Sequence, residues 1–252
     1  MGLALARAWL VTLSALSFAA GAAEAQQRHI NAGIHDIPPF GGSTPSGYCF
    51  DLLRAMADRL GAEVEFHPMP VGAMTQALKD QKIDLYCSPQ GHAGGPPVGG
   101  AAFVGPIAVN REVLLVRNDD QAEFRSLADA AGSRLGTIQG TLYVKLASSA
   151  GVADIKTYPN LVEGLTALAN GEIDAFLGAE PLFRYQQRIL GKWEDLRMVD
   201  SYVSVAENHP ALGILEENTA LISLLQPTLD GMIDDGTMQR LLDAWALPGP
   251  LP

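Results

Sequence analysis

A repeat constrains this chain more than any other feature. The segment QALKDQKID, Gln76 to Asp84, returns as TALANGEID, Thr166 to Asp174. Ala77, Leu78, Ile83 and Asp84 are matched by Ala167, Leu168, Ile173 and Asp174, each 90 residues further on. In both copies an Ala-Leu pair sits on the apolar face of a helix near its end, and Ile-Asp opens the β-prone run that follows. A chain that needs this helix-to-strand turn twice is building two similar units of alternating strands and helices.

The flanking sequence repeats the same order. HINAGI is β-prone and stops at HDIPPFGGSTPSG, a loop by its prolines, glycines and small polar residues. YCFDLLRAMADRLG puts Phe50, Leu53, Ala57 and Leu60 on one helical face, with Gly61 as the stop. AEVEFHP alternates as a strand, VGAMTQALKDQ is a helix and KIDLYCSP a strand. PQGHAGGPPVGGAAFVGP reads as a loop, and IAVNREVLLVR as a long β-type run. SRLGTIQGTLYVKLAS, DIKTYP, NLVEGLTALANG and EIDAFLGA then restart the strand–helix rhythm. Strands separated by helices imply parallel sheets with crossover helices, an α/β architecture. Two helices close the chain: TALISLLQPTLDGMID, and GTMQRLLDAW with Thr237 as its N-cap.

Composition narrows the partners. The formal net charge is −11 and there is no basic run, which makes nucleic acid and anionic membrane surfaces poor candidate partners, so no nucleic acid is expected. At the N-terminus, Arg7 precedes an uncharged apolar run from Ala8 to Ala20, and Ala23-Glu24-Ala25 forms a small-x-small cleavage pattern. Residues 1–25 therefore read as a cleaved signal peptide of an exported protein. No later segment is long and apolar enough to span a bilayer, so the mature chain is not expected in the membrane. Cys49 and Cys87 are the only cysteines. Export permits a disulfide between them, and two buried thiols are the alternative. The five histidines show no metal-ligand spacing, and there is neither a phosphate-binding Gly-Lys-Ser/Thr loop nor a Gly-x-Ser-x-Gly elbow. No metal and no cofactor are expected. Asp84 and Asp174 stand at strand starts, so they read as turn acids, not as a catalytic pair.

IPPF, GYCFDLLRAMADRLGAEVEFHPMP and ALKDQKIDL resemble the opening lobe of the type II periplasmic solute-binding proteins of the polar amino acid group (family 3). SLADAAGSRLGTIQGTLY, YPNLVEGLTALANGEIDAFLG and DGTMQRLLDAW resemble that family's second lobe and closing helix. The resemblance implies the two-lobed type II binding-protein fold, with two crossover strands and a ligand clamped by hinge closure. The expected lobes are residues 26–112 with 207–252, and 113–206, with crossovers near Val109–Val116 and Ser201–Ala206. It further implies a periplasmic monomer that delivers a small solute to the membrane permease of an ABC importer. Some relatives pair cysteines in these regions, which favours a Cys49–Cys87 bond.

The site residues follow from the same motifs. Gly140 and Thr141 make a tight turn before a helix whose free N–H groups attract an anion, and the resemblance puts Thr141 and Leu142 against a ligand carboxylate. Phe40, between Pro39 and Gly41, is the expected apolar wall. Ser88 and Gln90 follow the strand that Ile83-Asp84 opens, at the carboxyl end where ligands of α/β sheets gather. After FLG the family often has an acid for the ligand's ammonium; here Ala179 stands there and Glu180 follows. The arginine that family members place ahead of the turn at FVGPI is absent from GHAGGPPVGGAA. A missing guanidinium clamp and a missing acid together predict weak binding of ordinary α-amino acids and a small polar or carboxylate ligand held chiefly by the second lobe. Two other functions fit the fold. One is an enzyme like cyclohexadienyl dehydratase, whose acid would fall near Leu182. The other is an accessory or sensor protein without a tight small ligand.

Overall fold

The computed structural model describes residues 28–42, 45–88 and 96–249. The expected signal peptide and Gln90 lie outside the described residues. Two five-stranded mixed sheets organise the chain. The first contains β1 (Arg28–Ile34), β2 (Ala62–Pro68), β3 (Leu85–Ser88), β4 (Ala101–Val104) and β10 (Ala211–Leu215), in the order β2-β1-β3-β10-β4. The second contains β5 (Glu112–Arg117), β6 (Leu135–Ile138), β7 (Ile155–Tyr158), β8 (Ala175–Ala179) and β9 (Leu196–Met198), in the order β7-β6-β8-β5-β9. Each sheet has three parallel strands, then one strand antiparallel to both neighbours. In both cases that antiparallel strand, β5 or β10, is the first that the chain lays down after crossing from the other sheet.

Helices cover both faces. Helix α1 (Tyr48–Leu60) packs with α6 (Thr219–Asp234) and α7 (Thr237–Ala244) on one face of the first sheet, and α2 (Val71–Lys79) on the other. In the second sheet α3 (Leu142–Ser149) covers one face, and α4 (Leu161–Ala169) with α5 (Glu180–Arg184) the opposite one. Gly61 ends α1 in the left-handed conformation, as its sequence position implies. Thr237 is instead the first residue of α7, and Gly236 caps it at a φ of 74°. The stretch from Ala101 to Val104, read as part of a loop, is an edge strand because β10 supplies its ladder partner. Pairing with β8 and β9 also draws residues 112–117 into the second sheet, so the first crossing is complete before Glu112.

The sequence repeat has a specific structural meaning. Asp84 accepts the N–H of Asn31 at 2.7 Å and returns its own N–H to the Asn31 carbonyl at 2.8 Å. Asp174 does the same with Arg134, at 2.9 Å in both directions. In each unit this reciprocal pair starts the parallel ladder between the incoming strand and its neighbour. The isoleucine before each aspartate is buried against a glycine on that neighbour. A Cβ on Gly33 would stand 2.8 Å from Ile83 Cδ1, and one on Gly136 2.3 Å from Ile173 Cδ1. The preceding turns match as well, with Lys82 N–H bonded to Ala77 and Glu172 N–H to Ala167, each at 2.9 Å.

The second sheet's core turns on Phe176, which is fully buried and enclosed by Gly136, Gly164 and Gly178. A Cβ on Gly164 of α4 would lie 2.1 Å from Phe176 Cε2, and an aromatic ring in a packed core cannot yield that space cheaply. Gly164→Ala should therefore cost about 1–3 kcal/mol in urea unfolding. In the first sheet, Cys49 of α1 and Cys87 of β3 form the disulfide, with Cα atoms 6.2 Å apart and both residues buried. It closes a segment with a sequence separation of 38 residues. Replacing both cysteines by alanine should lower stability by about 2–4 kcal/mol, measured as the same unfolding midpoint shift.

Candidate functional site

The two crossings between the sheets run side by side. Asn110 and Asn208 form an antiparallel bridge, each N–H bonded to the other's carbonyl at 2.9 and 2.7 Å. Just beyond it, Glu112 opens β5 with its carboxylate completely buried. One oxygen accepts from the Tyr202 hydroxyl at 3.0 Å and the Val205 N–H at 2.6 Å, the other from the Ser204 hydroxyl at 2.5 Å and the Ala206 N–H at 3.0 Å. Four donors match the acceptor capacity of a carboxylate, so the second crossing is tied to the start of β5 through one side chain.

A cavity of about 440 Å³ and one of about 630 Å³ flank these crossings. The larger is lined by Asn110 on the first crossing, Glu207 on the second, and Gly140, Thr141, Leu142 and Tyr143 at the start of α3. Gly140 makes the turn at a φ of +74°, which a side chain would strain. Thr141 caps α3 by position, but its hydroxyl donates back to the Ile138 carbonyl at 2.7 Å and no side chain caps the first turn. The donors of that turn point outward with the positive end of the helix behind them. Tyr143 is held in phenol form, its pKa pushed up to about 12 first by burial and then by the negative charge of Glu112.

The smaller cavity is lined by Arg111, Glu180 and Arg184, with Glu207 on the rim of both. Glu180 is buried. Its two oxygens accept from Arg111 Nε at 2.6 Å and Arg184 Nε at 2.5 Å.

A cleft floored by two crossings, beside an uncapped helix start at the carboxyl end of β6, is built to hold a small solute. The sequence model of the bacterial extracellular solute-binding proteins, family 3, matches residues 30–248. The chain belongs to that family. It is similar to the ABC transporter arginine-binding protein 1 of Escherichia coli (strain K12), with 25% identity over 92% of this chain and 95% of that one. Among solved structures, the L-cystine solute receptor of Neisseria gonorrhoeae, in its unliganded open conformation, superposes with a TM-score of 0.74 at 21% identity. That superposition covers 87% of this chain and 93% of the receptor. An ancestral amino acid-binding protein, a precursor of cyclohexadienyl dehydratase, matches with a TM-score of 0.65 at 23% identity, over 86% of this chain and 95% of that one. These likenesses establish the two-lobed α/β fold of periplasmic binding proteins.

Within this family member, the residues singled out from sequence are distributed unevenly. Gly140, Thr141 and Leu142 come together on the wall of the larger cavity. Ser88 ends β3, buried and paired in register with Ala211. Phe40 packs inside the first sheet's core, 2% exposed, with its ring edge-on to Tyr48 at 6.2 Å. The hydrogen bonds from Tyr48 N–H to Pro39 and from Cys49 N–H to Phe40, both 2.8 Å, fold that loop back onto α1 and carry the ring inward. Glu180 is neither solvated nor open, because the two arginines enclose it. Nothing local in the sequence separates Glu112, Arg111 and Glu207 from ordinary strand and loop charges. Among the described residues no group of three or more His, Cys, Asp or Glu is placed to hold a metal, and no helix is long and apolar enough to cross a membrane.

One buried group at the carboxyl end of β1 titrates in an accessible range. His35 is 1% exposed, and neither ring nitrogen has a hydrogen-bond partner among the described residues. Burial lowers its pKa from 6.5 to about 4, with Asp36 opposing the shift. Below pH 6.5 the unfolded chain takes up a proton that the folded chain refuses, so stability falls as pH drops towards 4. The loss should amount to about 2–3 kcal/mol, and a His35→Gln variant followed by urea unfolding across that range should show a flatter acid limb.

Proposed function

We propose that this protein is the periplasmic receptor of an ABC importer and captures a small carboxylate-bearing solute. The lobe built on the first sheet forms one moving body and the lobe built on the second sheet, from Glu112 onward, the other, and they close about the paired crossings. Family membership and the likeness to an arginine-binding protein of amino acid transport support this reading. The single observation that carries it is the uncapped start of α3 on the cavity wall at Thr141 and Leu142. A carboxylate there would receive hydrogen bonds from backbone N–H groups and lie at the positive end of the helix. Ser88 reaches the ligand from the opposite lobe on closure, and the closed complex is what the importer's permease recognises. The receptor acts as a monomer.

The role of the α3 start can be tested without harming the helix. Leu142 is the first residue of α3, its side chain is largely exposed, and Thr141 before it already has the extended conformation that proline requires. Proline at that position suits a helix and removes one N–H donor. Leu142→Pro should leave the thermal midpoint of the free protein unchanged. It should weaken binding of a carboxylate ligand, identified by a thermal-shift screen of small metabolites, by roughly tenfold or more. Equal affinity in the variant would remove the α3 start from the site.

A further inference from the structure

The crossings are not the only place where the two lobes meet. Tyr185 follows α5 on the second lobe, and Trp245 follows α7 on the first. Their rings stack, with centroids 6.4 Å apart and planes inclined by 22°. Aromatic pairs in this range attract each other beyond the area they bury. Neither residue lines the two cavities beside the crossings, so a solute held in either one acts on the rings only through the lobes.

Each ring is fixed to its own lobe. Trp245 packs against the core of the first sheet and donates from Nε1 to Asp51 of α1 at 2.9 Å. Tyr185 opens a π-helical turn, Tyr185–Ile189. Such turns are rare and recur at functional positions. This one is tied down at both ends. Arg184, just before it, is bound to the buried Glu180, and Gln187 within it donates to the carbonyls of Trp193 and Leu196 at 3.4 and 3.0 Å. Two rings held this firmly cannot follow each other when the lobes turn. Dispersion falls steeply with distance, and a gap of about 0.5–1 Å already forfeits a quarter to a half of the attraction.

We propose that Tyr185 and Trp245 form an aromatic clasp that favours the inter-lobe angle of this structure and has to part or slide before the lobes turn about the crossings. This rests on the reading of two moving bodies given above. The clasp then sets how much of the free receptor stands at each angle. Apparent affinity scales with the fraction of molecules in the binding-competent form. The two rings therefore tune affinity by one common factor for every solute and leave the choice between solutes to the cavity walls.

Single-molecule energy transfer on the free protein measures the angle directly and needs no ligand. Dyes are attached at Glu63→Cys on β2 and Thr157→Cys on β7, exposed positions on edge strands of the two sheets. The native cysteines are buried and bonded to each other, so they do not take up dye. In this background Tyr185→Leu, which fills space without a ring, should change the ratio of inter-lobe separations by roughly two- to tenfold, or release a second separation where the wild type shows one. Trp245→Leu should do the same from the other lobe, and it serves alone should the first variant fail to fold. The double variant should go no further than either single, and Tyr185→Phe, which keeps the ring, should match the wild type. Exchanging separations in the wild type that neither leucine variant alters overturn the clasp and leave the moving bodies standing. So do single effects that simply add in the double variant, or a Tyr185→Phe shift as large as that of Tyr185→Leu. One fixed separation in the wild type and in every variant overturns the moving bodies and the clasp together.

Discussion

The buried carboxylate of Glu112 fixes how the two sheets relate. Taking a charge out of water costs several kcal/mol, and the cost is tolerable only when the remaining lone pairs are filled. Here all the donors come from residues 202–206, on a crossing that is remote in sequence from Glu112. The second crossing cannot separate from β5 without exposing that cost. Segment 202–206 must therefore travel with the second sheet, and bending is left to the short stretch around the Asn110–Asn208 bridge and the residues that follow it towards β10. If the lobes close as proposed, a hinge confined in this way leaves the chemistry of the cleft floor intact.

The same economy appears in how charge is placed around the cleft. Glu180 holds Arg111 and Arg184 by their Nε atoms, so the first crossing is fastened to α5 on one face of the second sheet. Glu112 fastens the second crossing on the other face, beside α3. Both are ties within the protein. They position the main chain so that Asn110, Glu207 and the start of α3 share one cavity wall. A solute-binding protein needs such internal ties, because the site is made from segments that belong to neither sheet's core.

Much of the architecture was legible because its causes are local or periodic. Gly61 stops α1, AEVEFHP alternates, and the two Ala-Leu…Ile-Asp units announce the same turn twice. The reciprocal bonds of Asp84 with Asn31 and of Asp174 with Arg134 give that repeat its reason. Other elements were not legible, for equally definite reasons. Ala101–Val104 is too short and too close to glycine and proline to announce a strand, and it becomes one only because β10 arrives beside it from more than a hundred residues away. Phe40 reads from its loop context as an apolar wall for the ligand, yet contacts with α1 turn its ring into the core.

The site divides along the same line. The Gly140-Thr141 turn before α3 was readable, since a positive-φ glycine followed by a helix start is a local property of the chain. The sequence by itself determined the α/β class, the doubled unit and the α3 start, while it only permitted the Cys49–Cys87 bond that the structure shows. Only the tertiary structure decided which acids are enclosed and which stays half exposed on the cavity wall. Glu112, Glu180 and Glu207 look alike in one dimension. Their roles are set by donors on other segments, at 90 residues and more for Glu112 and 69 for the Arg111–Glu180 pair. A carboxylate's function depends on how many of its lone pairs are already filled, and that count exists only once the distant segments have come together.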